Sequence, residues 1–327
     1  MKLRLRGMIV TVAFGLFATM LAVNAQPPAT VARIGILRLA AGPSRLIEVF
    51  RQQLWDLGYV EGQNIVLEDR PAGGREDLLP ELAAELSRQQ VSVIFAAGHA
   101  AVSAAKQATS RIPIVMLVGG DPVGSGLITS LAQPGGNVTG VTGLSPRLSA
   151  RRLELLKQIV PLASRVAVLL DPEDESKALD RQQLLVAARA LAVRLHPVEV
   201  RSPSDLEPAF ATMMRAQDEA LITIGGAFTL IQRRQIVQLA AKSRLPAIYE
   251  SREFVEAGGL MSYGASIPHM IRRAAVYVDK ILKGAKPSDL PVEQTATFEL
   301  VINLQTAQAL SLNIPPAIVQ QADQVIQ

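Results

Sequence analysis

The sequence predicts an α/β protein built from two doubly wound parallel-sheet lobes. Three observations predict it. Short apolar runs rich in β-branched residues alternate with helical segments of about 10–15 residues, the pattern of parallel strands covered by helices. The alternation restarts after a glycine-rich stretch at 135–140. A chain of 327 residues is also long enough for two domains at about 150 residues each.

The elements follow in order. Residues 33–37 (Arg-Ile-Gly-Ile-Leu) are a short apolar run and read as a buried strand. Residues 44–57 place Leu46, Ile47, Phe50, Leu54 and Leu57 at helical spacing, and Gly58 ends that helix as a C-cap. A strand over 64–68, a helix over 76–86, a strand over 91–96, a helix over 100–108 and a strand over 112–117 complete the first run. Gly135-Gly136-Asn137-Val138-Thr139-Gly140 reads as a connector. The second run has helices over 153–160, 179–191, 206–215 and 230–241, interleaved with strands over 165–170, 194–200, 220–224 and 246–249. The tail adds a strand over 259–263, a helix over 267–282 and a strand over 298–302, with the extended connector Lys286-Pro287-Ser288-Asp289-Leu290-Pro291 between them. A lone strand–helix unit cannot bury both its faces. The tail strand and helix are therefore assigned to the edge of the first lobe, and the last strand to the second. The expected lobes are 32–141 with 258–288, and 146–255 with 294–327. The chain then passes between them near 141–146, 255–259 and 288–294, a three-segment hinge of the kind that permits closure.

Lys2, Arg4 and Arg6 precede an uncharged, mostly apolar run over 8–23 that ends in Val23-Asn24-Ala25. This is the pattern of a cleaved secretory signal over 1–25, and its apolar run falls short of the roughly 20 residues that span a bilayer. Cysteine is absent, which excludes disulfides, thiolate metal sites, a cysteine nucleophile and a lipidated N-terminal cysteine. An exported, cysteine-free chain without a lipid anchor fits the periplasm. Losing the three basic residues of the signal lowers the net charge from +4 to +1. A nearly neutral chain has no electrostatic footprint for nucleic acid, and 4% aromatic residues leave few platforms for stacking bases.

Ligands of open parallel sheets sit beyond the carboxyl ends of the strands. The candidate ligand-binding residues in the post-strand segments are Ser44, Gly98, His99, Asp121, Ser125, Asp171, Gly226, Tyr249, Glu250 and Tyr263. Helix N-termini converging there present unpaired amides and partial positive charge, enough to hold a carboxylate without a metal. Ser44, Gly98 and Ser125 keep backbone accessible or add hydroxyl donors. Asp121, Asp171 and Glu250 are the acidic candidates for a ligand ammonium, and each could equally be a helix cap or a surface charge. Tyr249 and Tyr263 could supply an apolar wall or pack into the core. Catalytic machinery is not evident. His99, His196 and His269 are far apart, and no HExxH, GxSxG or GxxxxGK[ST] pattern occurs. The glycines of 119–126 lack dinucleotide-fingerprint spacing. No metal, cofactor or catalytic residue is expected.

Four segments together resemble the ABC-transporter substrate-binding protein family that includes tryptophan- and other aromatic-amino-acid-binding members. They are the stretch from Phe50 to Asn64, Asp121-Pro122-Val123-Gly124-Ser125-Gly126-Leu127 followed by Pro134 to Gly140, the stretch from Tyr249 to Gly264, and Phe298-Glu299-Leu300-Val301-Ile302-Asn303-Leu304. The resemblance extends from about Ala32 to the end. It implies a type I periplasmic-binding-protein fold that captures a small anionic or zwitterionic solute, an amino acid or a carboxylate, and delivers it to a membrane permease and its ATPase. A monomer suits such a shuttle. Two other readings stay open at this level: a sensory ligand-binding module, and an exported enzyme using His99 with Asp121.

Overall fold

Two mostly parallel sheets form the frame, and each is covered by helices on both faces. The structure is a computed structural model that describes residues 31–40, 45–143, 148–172 and 174–327. The expected signal segment and Ser44 lie outside the described residues. In chain order the strands and helices are β1 (Ala32–Arg38), α1 (Arg45–Asp56), β2 (Ile65–Pro71), α2 (Leu79–Arg88), β3 (Val93–Ala97), α3 (His99–Ala108), β4 (Ile114–Val118) and β5 (Val138–Thr142). Next come α4 (Leu148–Ile159), β6 (Arg165–Leu170), α5 (Ala178–Ala190), β7 (Arg194–Glu199), α6 (Leu206–Arg215), β8 (Ala220–Ile224), α7 (Ala227–Ile231), α8 (Arg233–Lys242), β9 (Ala247–Tyr249) and α9 (Arg252–Glu256). The tail holds β10 (Met261–Ala265), α10 (Ile267–Leu282), β11 (Glu293–Gln294), β12 (Phe298–Asn303), α11 (Leu304–Ala309), α12 (Pro316–Gln321) and β13 (Gln324–Ile326).

The first sheet has the order β11-β5-β4-β3-β1-β2, and the second β13-β12-β10-β9-β8-β6-β7. All described pairs are parallel except β10 with β12. Period-two alternation fills both faces of the first sheet. Val93 and Phe95 of β3 pack with Phe50 and Leu54 of α1 and with Ile271, Ala274 and Val278 of α10. Ile94 and Ala96 pack with Ala83 and Leu86 of α2 and Ala101 and Ala105 of α3. The second sheet repeats the design. Val166, Val168, Ile222 and Ile248 face Leu153, Leu156 and Leu184, while Ala167, Leu169, Leu221 and Tyr249 face Phe210, Met213 and Ile236. Each fully buried Ile, Leu or Phe contributes about 1.5–3 kcal/mol, so continuous apolar strands are what both-face burial demands.

Two expectations are corrected. Residues 138–142, read as part of a connector, are the buried strand β5 between β4 and β11. Gly140 makes this possible: it lies at φ +135°, and a Cβ there would collide with the Met116 backbone. The tail strand β10 does not edge the first sheet. It pairs in parallel with β9 and antiparallel with β12, in the middle of the second sheet. Only its helix, α10, covers the first sheet. The chain therefore leaves the first sheet after β5, returns to it after β10, and leaves again between β11 and β12.

Candidate functional site

The carboxyl ends of the strands in the two sheets meet through two loops. After β4, Asp121 organises a turn. Its Oδ1 accepts the Val123 amide at 2.9 Å, and its carbonyl accepts the Ser125 hydroxyl at 2.6 Å and the Ser125 amide at 3.2 Å. The Asp121 carboxylate and the Ser125 hydroxyl both serve this turn. Thr142 Oγ1 ties the Gly120 carbonyl to β5 at 2.8 Å. After β6, Asp174 accepts the Ser176 amide at 3.1 Å and its hydroxyl. The two loops then touch: the Asp121 amide donates to the Ser176 carbonyl at 3.1 Å, and Lys177 Nζ donates to the Gly119 carbonyl at 3.3 Å. Gly120 permits the approach, because a Cβ there would stand 2.6 Å from the Ser176 carbonyl oxygen.

Carboxylates face one another nearby. Glu76, in a 3-10 turn over Glu76–Leu78 after β2, belongs to the first half; Asp171 and Asp174 belong to the second. The Glu76 carboxyl is held above its ordinary value, first by lost hydration and then by the charges of Asp171 and Asp174.

Other candidates occupy the strand ends as follows. Gly98, at φ +96°, caps α3, and His99 is the first residue of that helix, half-buried. The Gly98 amide donates to the Leu117 carbonyl at 2.9 Å. Gly226 caps α7, its Cα facing the Asp174 carboxylate too closely for a Cβ. Glu250, just past β9, has both carboxylate oxygens engaged: Oε2 accepts the Thr223 hydroxyl, and Oε1 accepts the Thr229 hydroxyl at 3.1 Å. Tyr249 is in the core, 1% exposed, with its ring stacked 4.7 Å from Phe254. Burial there pushes its phenol above the ordinary value, with the Glu250 charge adding to the effect; its place is in packing. Tyr263 is half-buried beside Phe298, and its carbonyl accepts Nε of Arg152 at 2.7 Å.

Sequence reasoning passed over Thr223, Lys177, Glu76 and Arg152, and it reached Ser176 and Thr229 only as the last residues of post-strand segments, with no role given to either. Thr223 is an alternating strand residue and Thr229 a short-helix residue, and neither signals a partnership with Glu250 before the strands are aligned. No group of three or more His, Asp or Glu able to hold a metal occurs among the described residues. No helix among them is long and apolar enough to cross a membrane.

Residues 33–326 match a family model described as ABC transporter substrate binding protein. A tyrosine-binding protein of Clostridioides difficile (strain R20291) is 26% identical over 283 residues, covering 85% of this chain and 81% of the relative. A crystal structure of an ABC domain in complex with L-Trp from Streptococcus pneumonia superposes with a TM-score of 0.84 at 25% identity, covering 90% of this chain and 99% of that one. A conserved domain protein from Vibrio cholerae gives a TM-score of 0.83 at 25% identity, with the same coverage of each.

Proposed function

Because the chain belongs to the ABC transporter substrate-binding protein family, whose members bind small solutes outside the cytoplasm and work with a permease and an ATPase, we propose that this protein captures a free amino acid between its lobes. The ligand class is an α-amino acid with an aromatic side chain, as for the tyrosine-binding relative and the L-Trp complex. The protein acts as a monomer in the periplasm after removal of residues 1–25, and performs no chemistry on its solute.

One observation carries the reading. The loops after β4 and β6, from different sheets, join through Asp121 and Ser176 and through Lys177 and Gly119, which supports a seam between the strand ends of the two sheets. Solute in that seam touches both halves and favours the joined arrangement by its differential affinity. Glu250 supplies the negative charge for the ammonium. Its carboxylate is held by two threonine hydroxyls, which fix its position without neutralising it. The amides at the N-terminus of α3 lie on the facing half. The segments between β10 and α10 and between β11 and β12 belong to the hinge.

A thermal-shift and calorimetric screen of amino acids and small carboxylates tests this. Binding only the folded form stabilises it by about 2.7 kcal/mol at a ligand concentration a hundredfold above Kd, a rise of several degrees in Tm. L-tyrosine or L-tryptophan is expected to give that rise and to be recovered unchanged. Glu250→Gln, which removes the charge while its one oxygen still accepts a threonine hydroxyl and its amide nitrogen donates to the other, is expected to weaken binding about 30-fold or more in a protein that still melts cooperatively. Silence of the folded wild-type protein across the whole panel overturns the reading.

A further inference from the structure

Two arginines are buried among the described residues, Arg38 at 6% exposure and Arg152 at 5%. They differ in one respect. Arg38 is paired with Asp69 through two bonds of 2.9 and 2.7 Å. Arg152 donates Nε to the Tyr263 carbonyl at 2.7 Å, and among the described residues its terminal nitrogens have neither a hydrogen-bond acceptor nor a carboxylate. Burying an unpaired cation is costly. Arg152 is the fifth residue of α4. The cost is relieved by an anion at the guanidinium.

Arg152 also sits where a solute would. Helix α4 directly follows the passage from the first sheet to the second and precedes β6, so its N-terminal end is level with the carboxyl ends of the strands. Tyr263, its partner, is the middle residue of β10. The register Tyr249 to Ser262 places Glu250 next to Tyr263, and Gly264 approaches the Glu250 carbonyl too closely for a Cβ. The Arg152 guanidinium, held on Tyr263, and the Glu250 carboxylate thus belong to neighbouring positions of β10 and the end of β9. Glu250 takes two hydroxyls and no cation among the described residues.

From this juxtaposition, and resting on the amino-acid reading above, we infer that Arg152 is the anchor of the ligand carboxylate, with Glu250 facing the ammonium. With Nε occupied by Tyr263, the outer edge of the guanidinium presents two nitrogens to the two oxygens of a carboxylate, the geometry in which arginine pairs best. An arginine held on β10 and a glutamate past the end of β9 match two opposite charges on one carbon. The site therefore requires a free α-carboxylate and a free α-ammonium together, and rejects amides, amines and simple carboxylates.

The test is calorimetry at pH 6, where the α-amino groups of acids and amides are both charged, on the wild-type protein, Arg152→Gln and Arg152→Lys with L-tyrosine, L-tryptophan, and their amides, which lack the carboxylate. The wild-type protein is expected to bind the amides about 30-fold more weakly or worse than the acids. Arg152→Gln is expected to lose about 30-fold or more toward the acids while its amide affinity moves less than about 3-fold, and Arg152→Lys to recover part of the loss. Equal affinity of the wild-type protein for acid and amide overturns the inference, and this comparison needs no variant to fold. Unchanged acid binding by Arg152→Gln overturns it too, as does a parallel loss toward acid and amide, the mark of a purely structural arginine. A wild-type protein that binds no amino acid overturns the proposed function and this inference with it; one that binds amino acids indifferently to Arg152 overturns this inference alone.

Discussion

The backbone amide of Asp121 donates to the backbone carbonyl of Ser176 at 3.1 Å, although Asp121 follows a strand of the first sheet and Ser176 follows a strand of the second. No side chain is needed for this link. It depends on how closely two main chains can approach.

Gly120 sets that distance. A Cβ on it would lie 2.6 Å from the Ser176 carbonyl oxygen and 2.7 Å from the Ser176 hydroxyl. Gly120→Ala is expected to leave the unliganded Tm within about 2 °C, because each half keeps its own packing. Amino-acid affinity is expected to fall about 10-fold or more, because overlaps of this kind cost about 1–3 kcal/mol and arise only when the halves join. Gly264→Ala should behave oppositely. Its Cβ would enter the Glu250 carbonyl inside one sheet, so the unliganded Tm should drop by several degrees. Melting curves and calorimetry of both variants check the contrast.

Glu76 makes stability depend on pH. Its folded value is raised, by lost hydration and then by Asp171 and Asp174. A raised carboxyl contributes stability that is fully present below its unfolded value and is lost as pH rises through its folded value. Glu76→Gln stays neutral throughout. It should melt about 1–2 °C above the wild-type protein at pH 7–8, since a partly hydrated like-charge contact is worth under about 1 kcal/mol. The gain should vanish at about pH 4 and below. A melting series across this range reads it, and an advantage confined to low pH would contradict the sign.

Asp218 provides a control remote from the seam. Its carboxylate is fully buried, accepts Arg165 Nε at 2.9 Å and lies 2.6 Å from His196 Nδ1, and its residue immediately precedes the short connection into β8, at the amino ends of the strands. Asp218→Ala leaves Arg165 and His196 without their shared acceptor, both of them partly exposed. A loss of about 2–3 kcal/mol is expected, read as a Tm lower by roughly 5–8 °C, with amino-acid affinity unchanged within about twofold.

Several elements were legible from local pattern alone. The run 33–37 and the spacing of Phe50 and Leu54 needed no tertiary information, because burial on both faces writes continuous apolar strands and amphipathic helices directly into the sequence. The position of Asp121 just past a strand was legible for the same reason, but the helix expected to start there is absent: the chain turns through 121–126 and goes on to β5 without one. The Asp121 side chain's use as the cap of that turn, through Val123, was one of two readings that spacing left open.

The sequence by itself determined the class of fold and the restart of the alternation. These follow from periodicity, which is local. Only the tertiary structure decided that β10 joins the second sheet through β12, that the glycine-rich stretch at 138–142 is a buried strand, that Tyr249 is core, and that Arg152 is buried without a carboxylate. Strand partnership and side-chain burial depend on what arrives from distant parts of the chain. A five-residue strand fits either sheet edge equally well on pattern, and an arginine on a helix looks solvated until the neighbouring strand closes over it.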